Sequence, residues 1–549
     1  MKFFCSKDCP DGCHFEITES GKFKALPNVF DKSPFFCSKL IKFYRREIKP
    51  EECFYVDKGR KIKCDYQTAI DKMSELLKSS RNILFLRGSG SLGYKMRYWD
   101  MFFSNFDKCH FVSDNPCDET GVIAHEEDFG VCTNPDVRNL EHVDTIIIFG
   151  RNARVVNQHL YSYLKHLKKE IIYIDPIKSE TAKIAKKYIR INPATDGILC
   201  NHILGSLGYI KNFLNLDETI KLTGISREDI EFLKSKIKPK KTGLITGFGL
   251  QRYSNGKNIV QWINRLAYYT DNLDTLYYGK SSSAYLSGIS VNKKNKITIK
   301  EAYDRLKTGY FDLVVIVAAN PLVTYPETNF LKKIFDNVNL VTIDTNLTDT
   351  VDKSNIFIKV GGMFAQDDIL GSYFFDGVMN KRERFLDTIS DTDVVKMLSE
   401  KFDFQIKVKS IDEINYEKKA LRRNFTKDEI GISLPIMGNG LRLISNSHSL
   451  YLNSQLAEDE IAEEFLHISP DDAYKFDIND GDMVELFNEY GNLKIHAKIT
   501  DKVAKGYVMV YKSKKYFGNT PNILTKMSQT DAGLAVAYYD TFVNIRRAE

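Results

Sequence analysis

The chain has 549 residues, a hydrophobic fraction of 43% and a formal net charge of only +6. This length provides for about three or four globular domains, and the weak charge gives no argument for a nucleic-acid partner. No apolar run approaches the roughly 20 residues of a membrane-spanning helix, so we expect a large globular enzyme without a membrane span.

Four closely spaced cysteines at the N-terminus are the most informative feature. Cys5, Cys9 and Cys13 recur at intervals of four residues, and Cys37 follows after a longer loop. A four-iron cluster (4Fe-4S) needs one thiolate per iron, and a tight loop can supply three while the fourth returns from a turn. The alternatives are unpaired core thiols and a structural zinc site, although zinc usually favours a two-residue gap between paired cysteines. We therefore predict an iron–sulfur segment over residues 1–55 that carries electrons.

The extreme N-terminus bears on location. Met1-Lys2-Phe3-Phe4 runs directly into the first cysteine, which leaves no room for a signal peptide. Arg45-Arg46 looks like a twin-arginine signal, but charged residues follow it instead of an apolar segment. We expect a cytoplasmic protein, unless a partner carries the export signal.

Between the cysteines and the centre of the chain, the pattern predicts a helix and then a buried strand. The helix is expected around residues 65–77 and the apolar strand at 82–86, which ends in Arg87-Gly88-Ser89-Gly90. We assign residues 56–140, together with 345–435, to one α/β domain.

The sequence from residue 145 predicts a strand–helix–strand unit. Residues 145–149 are continuously apolar and end at Gly150, as a strand buried on both faces requires. A helix-length segment leads to a second strand at 170–174, which ends at Asp175. In dinucleotide-binding folds an acid at this place binds a sugar or base, but without a GxGxxG pattern this unit alone is a weak signal.

The same unit recurs in the second half of the chain. A strand at 312–317 ends at Asn320, and after a helix the strand at 340–343 ends in Asp344. Capping of the following loop would explain either acid by itself. Because both acids occupy matching places, we predict two similar nucleotide-bearing ligands and assign residues 141–344 to a duplicated dinucleotide-binding α/β domain.

From Leu441 the pattern changes to short alternating strands separated by turns. Strands are predicted at 482–488, 492–500 and 506–511. This spacing is typical of a small β-barrel, which we assign to residues 436–549.

Taken in order, these segments resemble the molybdopterin oxidoreductases, the superfamily of dimethyl sulfoxide reductase and formate dehydrogenase catalytic subunits. Each motif is weak alone, but together they cover nearly the whole chain in the family's order. The resemblance implies an α/β, multidomain fold with duplicated Rossmann-like domains and a C-terminal barrel of the double-psi type. Besides the cysteine segment, it is carried by residues 149–152, 174–176, 192–197, 247–256, 319–321, 344–350, 445–454, 469–473, 480–482 and 522–525.

The resemblance implies a molybdenum or tungsten ion held by the dithiolenes of two molybdopterin guanine dinucleotides, in agreement with the duplicated unit. By family position, Asp175 and Asp196 hold one guanine and Asp344 contacts the other. Lys39 would lie between cluster and pterin, where a cation stabilises an electron in transit; the alternative is a plain surface lysine. The other implied cofactor-lining residues are Gly150, Asn152, Gly249, Asn320, His448, Asn453, Ser454 and Asn522.

The sequence departs from the family pattern in two turns and in length. Ala194 replaces the usual glycine of the turn before Asp196, and Ala153 replaces a proline after Asn152. Both changes are mild. Many relatives are considerably longer, so we expect this chain to lack insertions around the substrate funnel and to be more open.

The resemblance places the protein ligand to the metal in the loop 113–121, where Cys117 is the candidate. A thiolate is a soft ligand suited to Mo or W, and Pro116 followed by acids resembles a helix start, which lowers the pKa of a thiol. The alternative is a buried structural cysteine. Asp118 stands where formate dehydrogenases usually have histidine, which weighs against formate. His125 is either an acid–base partner or a surface residue.

We therefore expect a Mo- or W-dependent oxidoreductase that performs two-electron redox or oxygen-atom transfer on a small substrate, in the manner of formate dehydrogenases or of sulfur or oxyanion reductases. Electrons would pass through the cluster to or from a ferredoxin-like protein or a subunit linked to NAD, flavin or quinone. The alternative is a metal-free relative that serves as an electron-carrying or structural subunit of a respiratory complex. The nucleotide-contacting acids and Cys117 favour the enzyme.

Overall fold

The computed structural model describes residues 2–27, 34–49, 52–279, 286–371, 379–416, 425, 430–456 and 465–548. These residues form a small N-terminal sheet, two large sheets of mainly parallel strands, and a closed barrel. In the part of the chain described, no helix combines the length and the apolar character needed to cross a membrane.

The α-helices come mainly from the crossovers between parallel strands and from the segments that flank them. Their bounds are Lys39–Glu47, Tyr66–Ser79, Arg97–Phe103, Glu119–Phe129, Ala153–Val156, Gln158–Leu167, Asp196–Ser206, Leu216–Thr223, Arg227–Lys236, Gly256–Tyr269, Ile299–Lys307, Pro321–Thr324, Thr328–Phe335, Asp349–Asp352, Asp391–Lys401 and Pro470–Lys475.

The N-terminal sheet holds the cysteine loop against the rest of the molecule. Its antiparallel strands are Lys2–Phe4, His14–Ile17 and Phe23–Ala25. The Phe23 ring lies 5.1 Å from that of Tyr44 on the following helix, and Tyr44 lies 5.2 Å from Phe364. Packing of these two rings against the buried Phe364 holds the segment against the rest of the molecule.

The first large sheet is built from five parallel strands. Successive connections lead outwards in opposite directions from the two central strands, so a crevice opens at their carboxyl ends, where doubly wound sheets bind ligands. The strand order is Lys187–Ile189, Glu170–Ile174, Thr145–Phe149, Thr242–Thr246 and Leu276–Tyr277.

The second large sheet has eight strands: the first six are parallel to one another, and the last two are added by antiparallel pairing. Its connections reverse direction between Ile83–Arg87 and Leu313–Val317, which creates a second crevice of the same kind. The strand order is Asn295–Ile297, Cys109–Val112, Ile83–Arg87, Leu313–Val317, Asn339–Asp344, Ile356–Lys359, Cys53–Asp57 and Arg60–Cys64.

The strand–helix–strand units predicted for one domain at 141–344 lie in two different sheets. Leu313–Val317 pairs with Ile83–Arg87, more than 200 residues earlier, instead of joining the sheet that contains Thr145–Phe149. The predicted boundary at residue 344 therefore does not separate the sheets. The reason is that both units are equally apolar, and only long-range pairing decides which sheet each strand enters.

The C-terminal barrel is confirmed as a closed six-stranded structure. Burial alternates along the sequence of its longest strand, as the period-two pattern predicts. The order around the barrel is Leu441–Asn446, Tyr507–Tyr511, Phe465–Ile468, Gly491–Ile499, Met483–Asn488 and Phe542–Arg547. Two short antiparallel pairs lie outside the main sheets: Leu286–Ser287 with Asn415–Tyr416, and Asp368–Gly371 with Met379–Arg382.

Candidate functional site

Two large cavities meet in the centre of the molecule. The first encloses about 1840 Å³ of empty space, open mouth included, and reaches from the crevice of the five-stranded sheet to the N-terminal cysteines. The second encloses about 1760 Å³ along the crevice of the eight-stranded sheet. Seven residues, which we call the junction, line both cavities: Asp8, Asn115, Cys117, Asp118, Arg252, Asn453 and Lys512.

Glycines allow the two central strand ends of the first crevice to approach each other. Gly150 has a φ of +58°, a left-handed conformation that glycine adopts without strain. A Cβ atom on Gly247 would lie 2.0 Å from the Gly150 carbonyl oxygen. Gly150 and the predicted Gly249 both line the first cavity. A ligand can therefore approach the backbone closely at this crevice, which binding of the phosphates of a dinucleotide requires.

The two predicted carboxylates of the first half lie in the first cavity. Asp175 accepts hydrogen bonds from the Tyr173 hydroxyl at 2.6 Å and the Ile177 amide at 2.8 Å. Burial raises the pKa of Asp175 to about 6, and burial together with Asp175 raises that of Asp196 to about 7. Asp196 Oδ1 has no hydrogen-bond partner among the described residues. A buried acceptor of this kind is suited to the N–H groups of a purine.

The second crevice repeats this arrangement with different residues. A Cβ on Gly88 would lie 2.5 Å from the Ala318 carbonyl oxygen, so glycine again permits close approach of two strand ends. Asn320 lines the second cavity and also a smaller cavity of about 770 Å³ that contains Asp344. Burial raises the pKa of Asp344 to about 6, as it does for Asp175.

A pair of asparagines shows the internal repeat in atomic detail. Thr181 donates a hydrogen bond from its hydroxyl to Asn152 Oδ1 at 3.1 Å, and Thr350 does the same to Asn320 Oδ1 at 2.7 Å. Each asparagine follows a central strand and precedes a short helix. Asn320 Nδ2 is buried and has no acceptor among the described residues, so it is available to a ligand. The donor set of both crevices thus fits two nucleotide ligands.

The four predicted cluster cysteines line one end of the first cavity, and Lys39 lies beside them. The Cys5 amide donates to the Cys13 carbonyl at 2.9 Å, which closes the loop. Hydrogen bonding with Cys13, and then the Lys39 charge, lower the pKa of Cys37 despite its burial. Lys39 is 7% exposed, so it is not the surface lysine of the alternative interpretation.

The side chains of the cysteine loop connect it to both halves of the molecule. Asp11 accepts hydrogen bonds from the Gln158 amide at 2.7 Å and the His159 amide at 3.2 Å, at the start of a helix of the first half. Lys7 forms a buried ion pair of 2.7 Å with Glu47 and lines the smaller cavity with Asp344. The loop is therefore a structural link between the two crevices.

The spacing of the cysteines bears on the zinc alternative. Within the described ranges, no three His, Cys, Asp or Glu side chains lie close enough to hold a single metal ion. A structural zinc would need all four thiolates on one ion, whereas a four-iron cluster binds each thiolate to a different iron. The two predictions therefore differ in how many metal atoms the four thiolates share.

Cys117 lies at the junction, in a turn that its neighbours hold. The Cys117 amide donates to Asn115 Oδ1 at 2.9 Å, and the helix begins at Glu119. The predicted helix start is correct, but the predicted lowering of the thiol pKa is wrong. Burial raises the pKa of Cys117, although Arg252 and Lys512 act in the opposite direction. Burial therefore favours the neutral thiol over the thiolate.

The barrel contributes the remaining predicted residues. His448 lines the first cavity, Asn522 lines the second, and Ser454 lines both the second and the smaller one. Asn453 belongs to the junction and donates from Nδ2 to Asp8 at 2.7 Å. The barrel therefore contributes residues to both crevices.

His125 lies away from all three cavities. It is 2% exposed, its Nδ1 lies 2.8 Å from the Gly121 carbonyl oxygen, and its ring lies 4.6 Å from that of Tyr278. Neither the predicted acid–base role nor the predicted surface position agrees with this place. The helix Glu119–Phe129 turns His125 towards the protein core, and sequence spacing alone could not reveal this orientation.

Several residues of the site received no individual role from the sequence. Arg252 and Lys512 at the junction, and the Gly88 to Gly90 loop at the second crevice, all line cavities. The Gly88 to Gly90 loop resembles Gly247-Phe248-Gly249, because in both a pair of glycines follows an apolar strand. This pattern could have identified the loop as part of a ligand site. Nothing in the local sequence around Lys512 points to the site.

Two doubly wound crevices meet at the Cys117 thiol, and the N-terminal cysteine loop lies at the end of one of them. This arrangement is typical of a protein that binds dinucleotide-type ligands. The model of the molybdopterin oxidoreductase family matches residues 67–358, and that of the molydopterin dinucleotide binding domain matches residues 439–541. The chain belongs to the molybdopterin oxidoreductase family.

Similar proteins also match this chain outside the residues that the two family models cover. "Probable oxidoreductase YyaE" of Bacillus subtilis is 22% identical over 99% of both chains. "F420-dependent formate dehydrogenase subunit alpha" of Methanocaldococcus jannaschii is 22% identical over 72% of this chain and 75% of its own. The solved structure of acetylene hydratase from Pelobacter acetylenicus superposes with a TM-score of 0.78 over 99% of both chains at 11% identity, which shows a shared fold.

Proposed function

We propose that this chain is the catalytic subunit of a molybdenum- or tungsten-dependent oxidoreductase that acts on a small substrate and exchanges electrons with a partner through a 4Fe-4S cluster. The observation that carries the proposal is the convergence of both nucleotide-type cavities on Cys117, with the four N-terminal cysteines at the end of one of them. A half-buried thiol at the meeting point of two ligand cavities is suited to a metal that both ligands share.

Each half would hold one molybdopterin guanine dinucleotide by its own polar groups. Asp175 and Asp196 would bind the guanine of the first, and Asp344 that of the second. Gly150, Asn152, Gly249 and His448 would line the first ligand, and Asn320, Asn453, Ser454 and Asn522 the second or both. When bound, the metal and its dithiolenes supply two-electron redox or oxygen-atom transfer chemistry.

The protein contributes a ligand, a route and an enclosed site. Cys117 would bind the metal as a soft sulfur ligand. Lys39 lies beside the cysteines in the same cavity, so its positive charge would stabilise an electron that moves between cluster and cofactor. Bound cofactors would fill the two cavities and displace water from the junction, which would strengthen these electrostatic effects.

The partner is proposed from chemistry and from the relatives. A chain that releases electron pairs through a one-electron cluster needs an acceptor or donor, either a ferredoxin-like protein or a subunit linked to NAD, flavin or quinone. The name of the methanogen relative describes a subunit alpha, a chain of a larger assembly. The proposed substrate is formate-like or a sulfur or oxygen anion, and the proposed location is the cytoplasm.

Composition analysis of anaerobically purified protein tests the proposal. We expect molybdenum or tungsten, about four irons, and about two GMP per chain after acid release. The reduced protein should give the EPR signal of a four-iron cluster. Stoichiometric zinc without iron would rule out the cluster, and iron without Mo, W or GMP, in a host that makes the cofactor, would establish the metal-free subunit instead.

A further inference from the structure

The Arg252 guanidinium at the junction has one N–H donor, on Nε, that no described residue accepts. Arg252 is 7% exposed and lines both cavities, and its Nε–H has no acceptor among the described residues. Buried polar groups are almost always hydrogen-bonded, and an arginine can only donate. A buried guanidinium donor at a ligand cavity therefore indicates a ligand that accepts hydrogen bonds.

The position of Arg252 is held rigidly. Its guanidinium lies 5.6 Å from the ring centre of Tyr538 and 5.8 Å from that of Tyr539. The Tyr539 amide also donates to the Arg252 carbonyl at 2.9 Å. Because aromatic rings on its flanks restrict the side chain, little rotational freedom is lost when a ligand binds.

The acidic residues of the junction do not accept a hydrogen bond from Arg252 Nε. Asp8 and Asp118 line the same space, yet Arg252 Nε finds neither of them within hydrogen-bonding distance. Asp8 instead accepts from Asn453. Lys512, on the barrel side of the junction, places a second cation close to Arg252 and Cys117. The junction thus offers two cations and an open donor next to the proposed metal ligand.

We propose that Arg252, supported by Lys512, forms an anion-binding subsite beside Cys117, and that the substrate of this protein is a small anion with oxygen acceptor atoms, such as a carboxylate or an inorganic oxyanion. A guanidinium binds such groups through parallel N–H···O bonds, which direct the anion as well as attract it. Neutral substrates of the same shape would lose the charge-assisted bonds. This inference rests on the proposed function, because it assigns the substrate class of that same centre.

The test compares acetate with acetamide, an anion and a neutral molecule of nearly the same shape. Each is titrated into the holoenzyme, and binding is followed through the EPR or visible spectrum of the metal, without turnover. We expect the wild type to bind acetate more tightly by about tenfold or more, the usual worth of a charged hydrogen bond. Arg252→Gln should abolish this preference, and Arg252→Lys should keep most of it.

Two further variants keep the test decisive. Lys512→Gln should lower the preference for acetate by about threefold, as loss of one nearby charge does, and it carries the test if Arg252→Gln does not fold. Arg227→Gln is the matched control, because Arg227 is exposed and pairs with Asp217 on the surface. It should leave both dissociation constants unchanged.

The other outcomes overturn the inference in separable ways. Equal binding of acetate and acetamide by the wild type, or an unchanged preference in both cavity variants, means that no anion subsite exists. If both variants lose GMP and metal, the cations hold cofactor phosphates instead of substrate. Failure of the proposed function itself would appear earlier, as wild-type protein without Mo, W or GMP.

Discussion

The two crevices share one arrangement of polar groups and glycines that is built from different residues. In both, an asparagine after a central strand accepts from a threonine hydroxyl, an acid ends the neighbouring strand, and glycine lets two strand ends approach. The first half, however, has two carboxylates, Asp175 and Asp196, where Asp344 is the single predicted acid of the second. It also has Gly150 with a φ of +58° where the second half has Ala318 with +51°.

The difference teaches which features the crevice requires and which are adjustable. Close strand approach and a left-handed residue after the central strand occur in both halves, although an alanine is strained there. The number of carboxylates is not repeated. We therefore expect the halves to respond alike to changes at the junction and differently to changes in the acids and in the left-handed residues.

A change at the junction should have the largest effect, because both halves depend on it. Cys117→Ala should abolish activity while iron and GMP stay at wild-type levels, since the cluster cysteines and the crevices are untouched. X-ray absorption at the Mo or W edge should show one sulfur ligand fewer than in the wild type. An unchanged sulfur count would make Cys117 a structural thiol.

Substitution of the predicted nucleotide-binding acids should affect the two halves differently. Asp344→Asn removes the single predicted carboxylate of the second half, so bound GMP should fall from about two to about one per chain. Asp175→Asn leaves Asp196 in place and should retain more of the first nucleotide. Both variants are isosteric, which makes them controls for each other. Equal loss of GMP in the two would show that the extra acid adds nothing.

In nucleotide-free protein, the buried acids should lower stability at high pH. The folded-state pKa of Asp196 is raised to about 7, so the folded protein favours the neutral carboxyl group. The contribution of this neutral group to the free energy of unfolding is fully present near pH 4 and is lost as the pH rises through about 7. Asp196→Asn should therefore stabilise the nucleotide-free protein by about 2–4 kcal/mol at pH 8, and by clearly less at pH 5. Urea unfolding at the two pH values measures this, and a pH-independent difference would contradict the assignment.

The left-handed residues should give the smallest effects, with opposite signs. Gly150→Ala should destabilise the fold by about 1–3 kcal/mol, because alanine is strained at positive φ and its Cβ would lie 3.2 Å from Leu250. Ala318→Gly should be stabilising by about 0.5 kcal/mol, as relief of strain slightly exceeds the added freedom of the unfolded chain. Thermal unfolding of both variants checks the signs.

Strand positions were predictable where apolar runs are short and sharply ended. The run Thr145–Phe149 and the strand Glu170–Ile174 lie where the sequence predicts them, and the predicted strand at 82–86 is shifted by one residue to Ile83–Arg87. The turn at Ala194 shows a limit, because the substitution looks mild in sequence yet has a φ of +65°. Backbone conformation at a single residue depends on the elements that flank it.

By itself, the sequence determined the element types, the cysteine segment, the acids at strand ends and the barrel, because these depend on local periodicity and on residues that follow one another directly. Only the tertiary structure decided that the two units enter different sheets and that His125 turns into the core. It also decided that Arg252 and Lys512 meet at Cys117 from segments 260 residues apart. Such contacts arise from packing of whole domains, which no local pattern encodes.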